Sequence, residues 1–178
     1  MKISRKSFLK LAAAAPLVPA ALVAQSAPNK VEKAAIKGTT DALTSFITTT
    51  TLASIPADVV AQAKRCLVDG FGVMLAGSTV KGSQIVRDYV KSAGDRREAT
   101  AIGEGTMMTT AAHAALLNAA SGHAMDYDDT QLSTTPDRTF GLLTHPTVPA
   151  LAAALAVAER KRASGAAFLE AFLVGFEV

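Results

Sequence analysis

The segment Thr110-Ala-Ala-His-Ala-Ala-Leu-Leu-Asn-Ala-Ala-Ser-Gly-His123 is the clearest indication of how this chain folds. Alanine is the strongest helix former, and Thr110, or Thr109 before it, can cap the start of a helix. Small side chains also let neighbouring helices approach closely. The segment therefore predicts a long helix, packed among other helices, that ends near His123.

The composition agrees with a helical architecture. Of the 178 residues, 49% are hydrophobic and 19% are charged, which excludes an intrinsically disordered chain. Aromatic residues make up only 5%, whereas β-structure favours branched and aromatic side chains. We predict a mainly α fold, formed by an Ala-rich helical domain over residues 40–178.

Apolar residues recur at helical spacing on both sides of this segment. The pattern over Val60–Met74 ends at Gly77-Ser78, and another helix begins at Pro146, since proline is favoured in a first helical turn. Cys66 is the only cysteine, and its place in the first pattern predicts a packing role. The only strand-like run is the short Ala99–Gly103.

The first 26 residues resemble an export signal. A basic start is followed by an apolar run over Leu11–Val23, which is shorter than the roughly 20 residues that span a bilayer. Ser4–Lys10 is similar to the twin-arginine motif, with Lys6 in place of the second arginine. We predict a signal over residues 1–26, a linker over residues 27–39, a periplasmic or exported location, and no stable membrane anchoring after signal removal.

The charge distribution argues against nucleic-acid binding. The whole chain has a formal charge of +3, but four of its 18 Lys and Arg residues, and none of its 15 Asp and Glu residues, lie in the predicted signal. The remaining 14 basic and 15 acidic side chains nearly cancel, and they form no long basic stripe. We therefore expect no nucleic-acid partner.

Titratable side chains gather where the Ala-rich helix is predicted to end. His123-Ala-Met-Asp-Tyr-Asp-Asp-Thr130 contains three carboxylates and an imidazole, and His145-Pro-Thr147 follows fifteen residues later. Carboxylates and imidazoles are common general acids and bases, which makes the three aspartates and His145 candidate catalytic residues. The alternative is structural: the aspartates finish one helix, and His145 caps the next.

A metal site is the rival chemistry at these residues. Aspartate and histidine bind Zn²⁺ or Mn²⁺, so an exported metal-binding domain is a further alternative. His123 and Asp126 are three residues apart, a spacing that permits two ligands to share an ion. The other spacings match no compact ligand motif, and from the sequence we predict no metal ligand.

Three segments of the chain resemble the MmgE/PrpD family of 2-methylcitrate dehydratases and cis-aconitate decarboxylases. The second segment, which ends in the acidic cluster, is the most specific, and the resemblance covers about residues 40–178. The three segments are Val60–Ser78, Asn118–Thr130, and His145-Pro-Thr147 with Pro149-Ala-Leu151 and Ala158-Glu159.

The resemblance implies a helical domain, usually joined to an α+β lid domain, and lyase chemistry on di- or tricarboxylic acids without a metal or other cofactor. Asp126, Thr130 and His145 match active-site positions of the family. The implied reaction is proton abstraction next to a carboxylate, followed by loss of water or CO₂. His123 and Arg138 are further candidates for binding a substrate such as 2-methylcitrate, because carboxylates need N–H or cationic partners. The alternative for His123 is an ordinary hydrogen bond between helices.

Family members are much longer, and this sequence has no counterpart of the lid domain or of the later catalytic lysine and histidines. We therefore expect an amino-terminal portion that is catalytically incomplete by itself and acts as a homodimer or with a complementing carboxyl-terminal chain. Thr147 stands where the family usually has serine, which keeps a hydroxyl group. A non-enzymatic alternative is a helical module that binds a partner through Phe168, Phe172 and Phe176, which recur every fourth residue.

Overall fold

The structure, a computed structural model, describes residues 38–94, 96–105, 107–131 and 144–178. The predicted export signal and nearly all of the predicted linker lie outside the described residues. Asp41–Val178 forms one compact unit that is mainly helical, which confirms the predicted fold class. The elements are α1 (Thr39–Thr49), a short 3-10 helix (Leu52–Ser54), α2 (Ala57–Gly77), α3 (Lys81–Ser92), β1 (Ala99–Ala101), β2 (Met107–Thr109), α4 (Ala111–His123), α5 (Thr147–Lys161) and α6 (Gly165–Glu177).

The Ala-rich helix α4 has the most neighbours in the domain. It contacts α2, α3 and α5, and α5 in turn packs against α6. The hydroxyl oxygen of Thr110 accepts a hydrogen bond from the backbone N–H of His113, and the helix ends at His123. The predicted helix is therefore confirmed, with Thr110 rather than Thr109 as its cap.

Two glycines allow α4 to approach its neighbours closely. A methyl group added at Gly77 of α2 would overlap the carbonyl oxygen of Ser121 in α4. One added at Gly122 of α4 would lie 2.6 Å from a methyl carbon of Val148 in α5. Because a close-packed core has no room for an extra methyl group, both helix pairs depend on glycine at these positions.

A short antiparallel hairpin packs on α4, with Ala99 of β1 opposite Thr109 of β2. The buried side chain of Asn118 in α4 accepts a hydrogen bond from the Ile102 N–H at 2.8 Å. It also donates one to the Thr100 carbonyl at 2.9 Å. The predicted strand is confirmed, whereas β2 is not predicted from the sequence, because three residues are too few to show an alternating pattern.

The aromatic stripe of α6 contributes to the protein's own core. Phe172 is fully buried, and Phe168 and Phe176 are partly buried against the same cluster. The rings of Phe172 and Phe176 meet edge to face, with centroids 5.9 Å apart. The core therefore covers Phe172, while the partner-binding role of the stripe as a whole stays a prediction.

The described helices bury their apolar side chains to different degrees. Cys66 in α2 is partly buried against the main core, which agrees with its predicted packing role. The apolar side chains of α1, in contrast, remain exposed at Leu43, Phe46 and Ile47.

In the part of the chain that the structure describes, no helix is both long enough and apolar enough to cross a membrane.

Candidate active site

The candidate site begins at the turn that follows α4. Asp126 has a left-handed backbone conformation, with φ of 56°, and its N–H donates to the carbonyl of His123 at 3.1 Å. Aspartate adopts this conformation more readily than most residues, because its short polar side chain can form local hydrogen bonds. The turn ends the helix and brings Asp128 into contact with His123.

A pair of backbone hydrogen bonds joins the segment after this turn to the segment before α5. The N–H of Gln131 donates to the carbonyl of Thr144 at 2.8 Å, and the N–H of Thr144 donates to the carbonyl of Gln131 at 3.3 Å. This antiparallel bridge places the aspartate turn beside His145, although the two are far apart in sequence.

Asp129 fixes the start of α5. One of its carboxylate oxygens accepts a hydrogen bond from the backbone N–H of Thr147 at 3.2 Å, and the other accepts one from the Thr147 hydroxyl at 2.7 Å. The first N–H groups of a helix have no partner within it, and an acceptor from outside the helix stabilises them. Asp129 therefore has a structural role, but it anchors the start of the following helix and does not finish the preceding one, as the structural alternative had it.

Asp128 is the buried acid of the site. Its side chain is 1% exposed, and each of its carboxylate oxygens lies 3.0 Å from Nδ1 of His123. A buried carboxylate needs such a partner, because its removal from water is costly. When Asp128 is ionised, His123 donates through Nδ1, and Nε2 of His123 is left for other contacts.

His145 approaches the same carboxylates from the start of α5. Its Nε2 lies 3.9 Å from a carboxylate oxygen of Asp126, and its Nδ1 lies 3.5 Å from a carboxylate oxygen of Asp128. Its ring meets the ring of His123 edge to face, with centroids 4.7 Å apart. Nδ1 of His145 is buried and forms no hydrogen bond within the described residues.

These four side chains form one cluster, to which each contributes a nitrogen or oxygen within 4.8 Å of the others. Exposure of the side chains is 1% for Asp128 and 24% for His145. It is 57% for His123 and 80% for Asp126. The cluster therefore has a buried side, formed by Asp128, and an open rim, formed by His123 and Asp126. Such an arrangement can exchange protons with a small molecule that enters from solvent, or it can bind a cation.

The structure brings together three of the predicted site residues: His123, Asp126 and His145. Thr130 is exposed, and no hydrogen bond within the described residues joins it to the cluster. Arg138 lies outside the described residues, so its predicted role in substrate binding stays a prediction.

The roles of Asp128 and Asp129 are not predicted from the sequence, because the family resemblance assigns a role to Asp126 alone. The three aspartates differ in how deeply their side chains are buried. That difference depends on the left-handed turn at Asp126 and on the backbone bridge that follows it. His113 is outside the cluster, and its ring packs edge-on against Tyr89 with centroids 5.9 Å apart.

The chain is similar to known proteins over most of its length. The family model described as MmgE/PrpD N-terminal domain matches residues 41–178, a range that contains the whole cluster. The cis-aconitate decarboxylase of Homo sapiens is 30% identical over 124 residues, which cover 67% of this chain and 24% of that protein. The chain therefore corresponds to about a quarter of the length of that relative. No solved structure matches it.

Proposed function

The chain belongs to the MmgE/PrpD family, and from this we propose that it supplies the acid–base groups of a lyase that acts on a di- or tricarboxylic acid. The observation that carries the proposal is the approach of His145 to Asp126, at 3.9 Å, beside the hydrogen-bonded pair of His123 and Asp128. Acid and base groups this close together can act on one small molecule.

In the proposed reaction, the imidazole of His145 takes a proton from a substrate carbon next to a carboxylate. The electron pair of the broken C–H bond forms a C=C bond, and hydroxide leaves the neighbouring carbon. The imidazolium of His145 returns its proton to that hydroxide, so that water is released. Asp126 stabilises the imidazolium while it carries the positive charge. Where CO₂ is lost instead, the electron pair of the broken C–C bond stays on the substrate, and this carbon takes a proton from His145, which must then enter the reaction as the imidazolium.

His123 is proposed to position the substrate. Its hydrogen bond to the buried Asp128 sets the ring orientation and the tautomer, as carboxylate partners of histidine commonly do. Nε2 of His123 is then able to accept a hydrogen bond from a substrate hydroxyl. Thr130 and Arg138 are proposed to bind the substrate through a hydroxyl group and a guanidinium group, which suit carboxylate oxygens.

The substrate class rests on the family and on the name of the human relative, cis-aconitate decarboxylase. We propose a di- or tricarboxylic acid such as 2-methylcitrate or cis-aconitate. An exported location, and a homodimer or a complementing carboxyl-terminal chain as partner, belong to the same proposal and rest on the sequence alone.

Isotope exchange tests the proposal without requiring a complete catalytic cycle. The purified full chain is incubated in D₂O with 2-methylcitrate or cis-aconitate, and mass spectrometry of the recovered acid measures deuterium next to its carboxylates. We expect the wild type to catalyse exchange, and His145→Gln and Asp126→Asn to lose most of it. His113→Gln is the matched control, because His113 lies outside the cluster, and it should retain exchange.

Two results would contradict the proposal. One is exchange that persists in both site variants, which would place the chemistry elsewhere. The other is a wild-type chain that neither binds nor exchanges any of the acids. If the wild-type chain alone forms product, the expectation that it is catalytically incomplete is wrong, while the lyase proposal gains support.

A further inference from the structure

We infer that His123, Asp126, Asp128 and His145 form a binding site for one divalent transition-metal ion, for which Zn²⁺ is the best-suited probe. This inference goes beyond the proposed function, which requires no metal. It begins from the finding that one possible ligand atom of each side chain lies within 4.8 Å of the others. The sequence spacing conceals such a site, because His145 joins it only through the backbone bridge.

The separations between ligand atoms suit a single ion. Tetrahedral Zn²⁺ with nitrogen and oxygen ligands at about 2.0–2.2 Å places its ligand atoms roughly 3.3 Å apart. Nδ1 of His123 lies 3.0 Å from Asp128, and Nδ1 of His145 lies 3.5 Å from the same carboxylate. Asp126 lies farther away: its carboxylate is 3.9 Å from the other ring nitrogen of His145, Nε2, so this exposed side chain would have to turn inward for all four residues to share one ion.

The charge and the ligand types also suit such an ion. Two ionised carboxylates balance the charge of a divalent cation, and two neutral imidazoles add ligands without adding charge. Imidazole favours zinc, copper, iron and nickel, whereas magnesium and calcium favour sites made of oxygen ligands alone. A mixed set of two nitrogens and two oxygens therefore selects a transition metal.

An unsatisfied atom provides a second, independent indication. Nδ1 of His145 is buried and has no hydrogen-bond partner within the described residues, although it faces the buried carboxylate of Asp128 at 3.5 Å. Buried polar atoms normally have a partner. Nδ1 of His113 is likewise buried and unsatisfied among the residues that the structure describes, but His113 lies outside the cluster, whereas Nδ1 of His145 faces the carboxylate of Asp128. An ion between these two groups would satisfy both of them.

The four side chains differ in exposure, so the site is closed on one side and open to solvent on the other. Asp128 is 1% exposed and is held by His123, so its carboxylate changes position little. Asp126, at 80% exposure, lies at the open rim. A bound ion would occupy the groups that the proposed reaction uses for proton transfer, so we expect the ion to inhibit that reaction.

Calorimetric titration of the metal-stripped full chain with Zn²⁺ tests the inference. We expect saturation at one ion per chain. Asp126→Asn and His145→Gln should each weaken binding by more than about tenfold, since even outer-shell partners of metal ligands change affinity by roughly 10–100-fold. Asp126→Asn is the more informative variant, because an exposed side chain can be changed without disturbing the core. His113→Gln is the matched control and should bind as the wild type does.

Co²⁺ provides a spectroscopic measurement that a general loss of stability would not reproduce. A four-coordinate Co²⁺ site absorbs visible light much more strongly than hydrated Co²⁺ does. We expect the strong bands in the wild type and in His113→Gln, and their loss in Asp126→Asn under conditions where that variant is folded.

Three outcomes would overturn the inference: no saturable binding, equal weakening by His113→Gln, or undiminished binding in both site variants. None of these readouts depends on turnover of an acid. A failed titration therefore leaves the lyase proposal standing, and a failed isotope-exchange test leaves the metal site standing.

Discussion

Nδ1 of His123 lies 3.0 Å from both carboxylate oxygens of Asp128, a residue that is almost completely buried. The pair joins the last residue of α4 to the turn that follows it. The partner of a buried carboxylate in this fold is therefore a histidine that is itself half exposed to solvent. His123 stabilises the buried carboxylate of Asp128. A molecule that binds His123 would therefore also affect the stability of this contact.

His123→Ala is expected to lower the free energy of unfolding by about 1–3 kcal/mol, because it leaves the buried carboxylate of Asp128 without its hydrogen bond. In an Asp128→Asn background the same change should cost much less, since a neutral amide is cheaper to bury than a carboxylate. Urea denaturation of the four proteins in this cycle measures the coupling between the two residues. Equal losses in both backgrounds would mean that the contact contributes nothing to stability.

Thr147→Val keeps the shape of the side chain but removes the hydroxyl that donates to Asp129 at 2.7 Å. We expect a loss of about 1.5–3 kcal/mol, the usual range for a hydrogen bond to a charged group, while the backbone N–H of residue 147 still donates to Asp129. Thr147→Ser retains both hydrogen bonds to Asp129 and should lose less. Chemical denaturation compares the variants, and the prediction is wrong if serine costs as much as valine.

Gly77→Ala and Gly72→Ala make a matched pair within α2. The new methyl group at Gly77 would overlap the backbone carbonyl of Ser121, and backbone cannot move aside as a side chain can. We expect a loss of about 1–3 kcal/mol from overpacking. At Gly72 nothing lies within 4 Å of the added carbon, so alanine should stabilise the helix by about 0.5–1 kcal/mol. Thermal unfolding should therefore shift in opposite directions for the two variants.

Asn118→Asp preserves the shape of a fully buried side chain and replaces the amide that donates to the Thr100 carbonyl. We expect a loss of at least about 2 kcal/mol, because the carbonyl loses its donor and a charge is buried. Hydrogen exchange at the Ile102 amide provides a local readout, since that N–H donates to Asn118 at 2.8 Å. Exchange that speeds up across the whole protein, with no further increase at Ile102, would show that Asn118 does not secure the hairpin.

The main helices can be predicted from the sequence because periodic apolar residues and local caps determine them. The pattern over Val60–Met74 falls within α2, and Pro146 directly precedes α5, as expected. Three members of the site can also be predicted, since His123, Asp126 and His145 lie at helix ends where titratable groups are conspicuous.

The division of roles among the aspartates cannot be predicted in the same way. Asp128 and Asp129 are adjacent in sequence, yet one binds a histidine at the end of α4 and the other caps α5. Their contacts depend on a single left-handed residue and on hydrogen bonds between segments that are distant in sequence, neither of which local propensity specifies. The burial of Phe172 likewise depends on which helices pack against α6, and periodicity alone does not identify them.

The hydrogen bonds between Gln131 and Thr144 also divide the chain into parts that can evolve separately. Any segment that leaves after Gln131 and returns at Thr144 preserves the alignment of the two halves of the cluster. Doubling the length of a connecting segment adds only about 0.6 kcal/mol of closure entropy, which is a small burden for a folded domain. The length and composition of this interval can therefore vary while the four side chains of the cluster keep their positions.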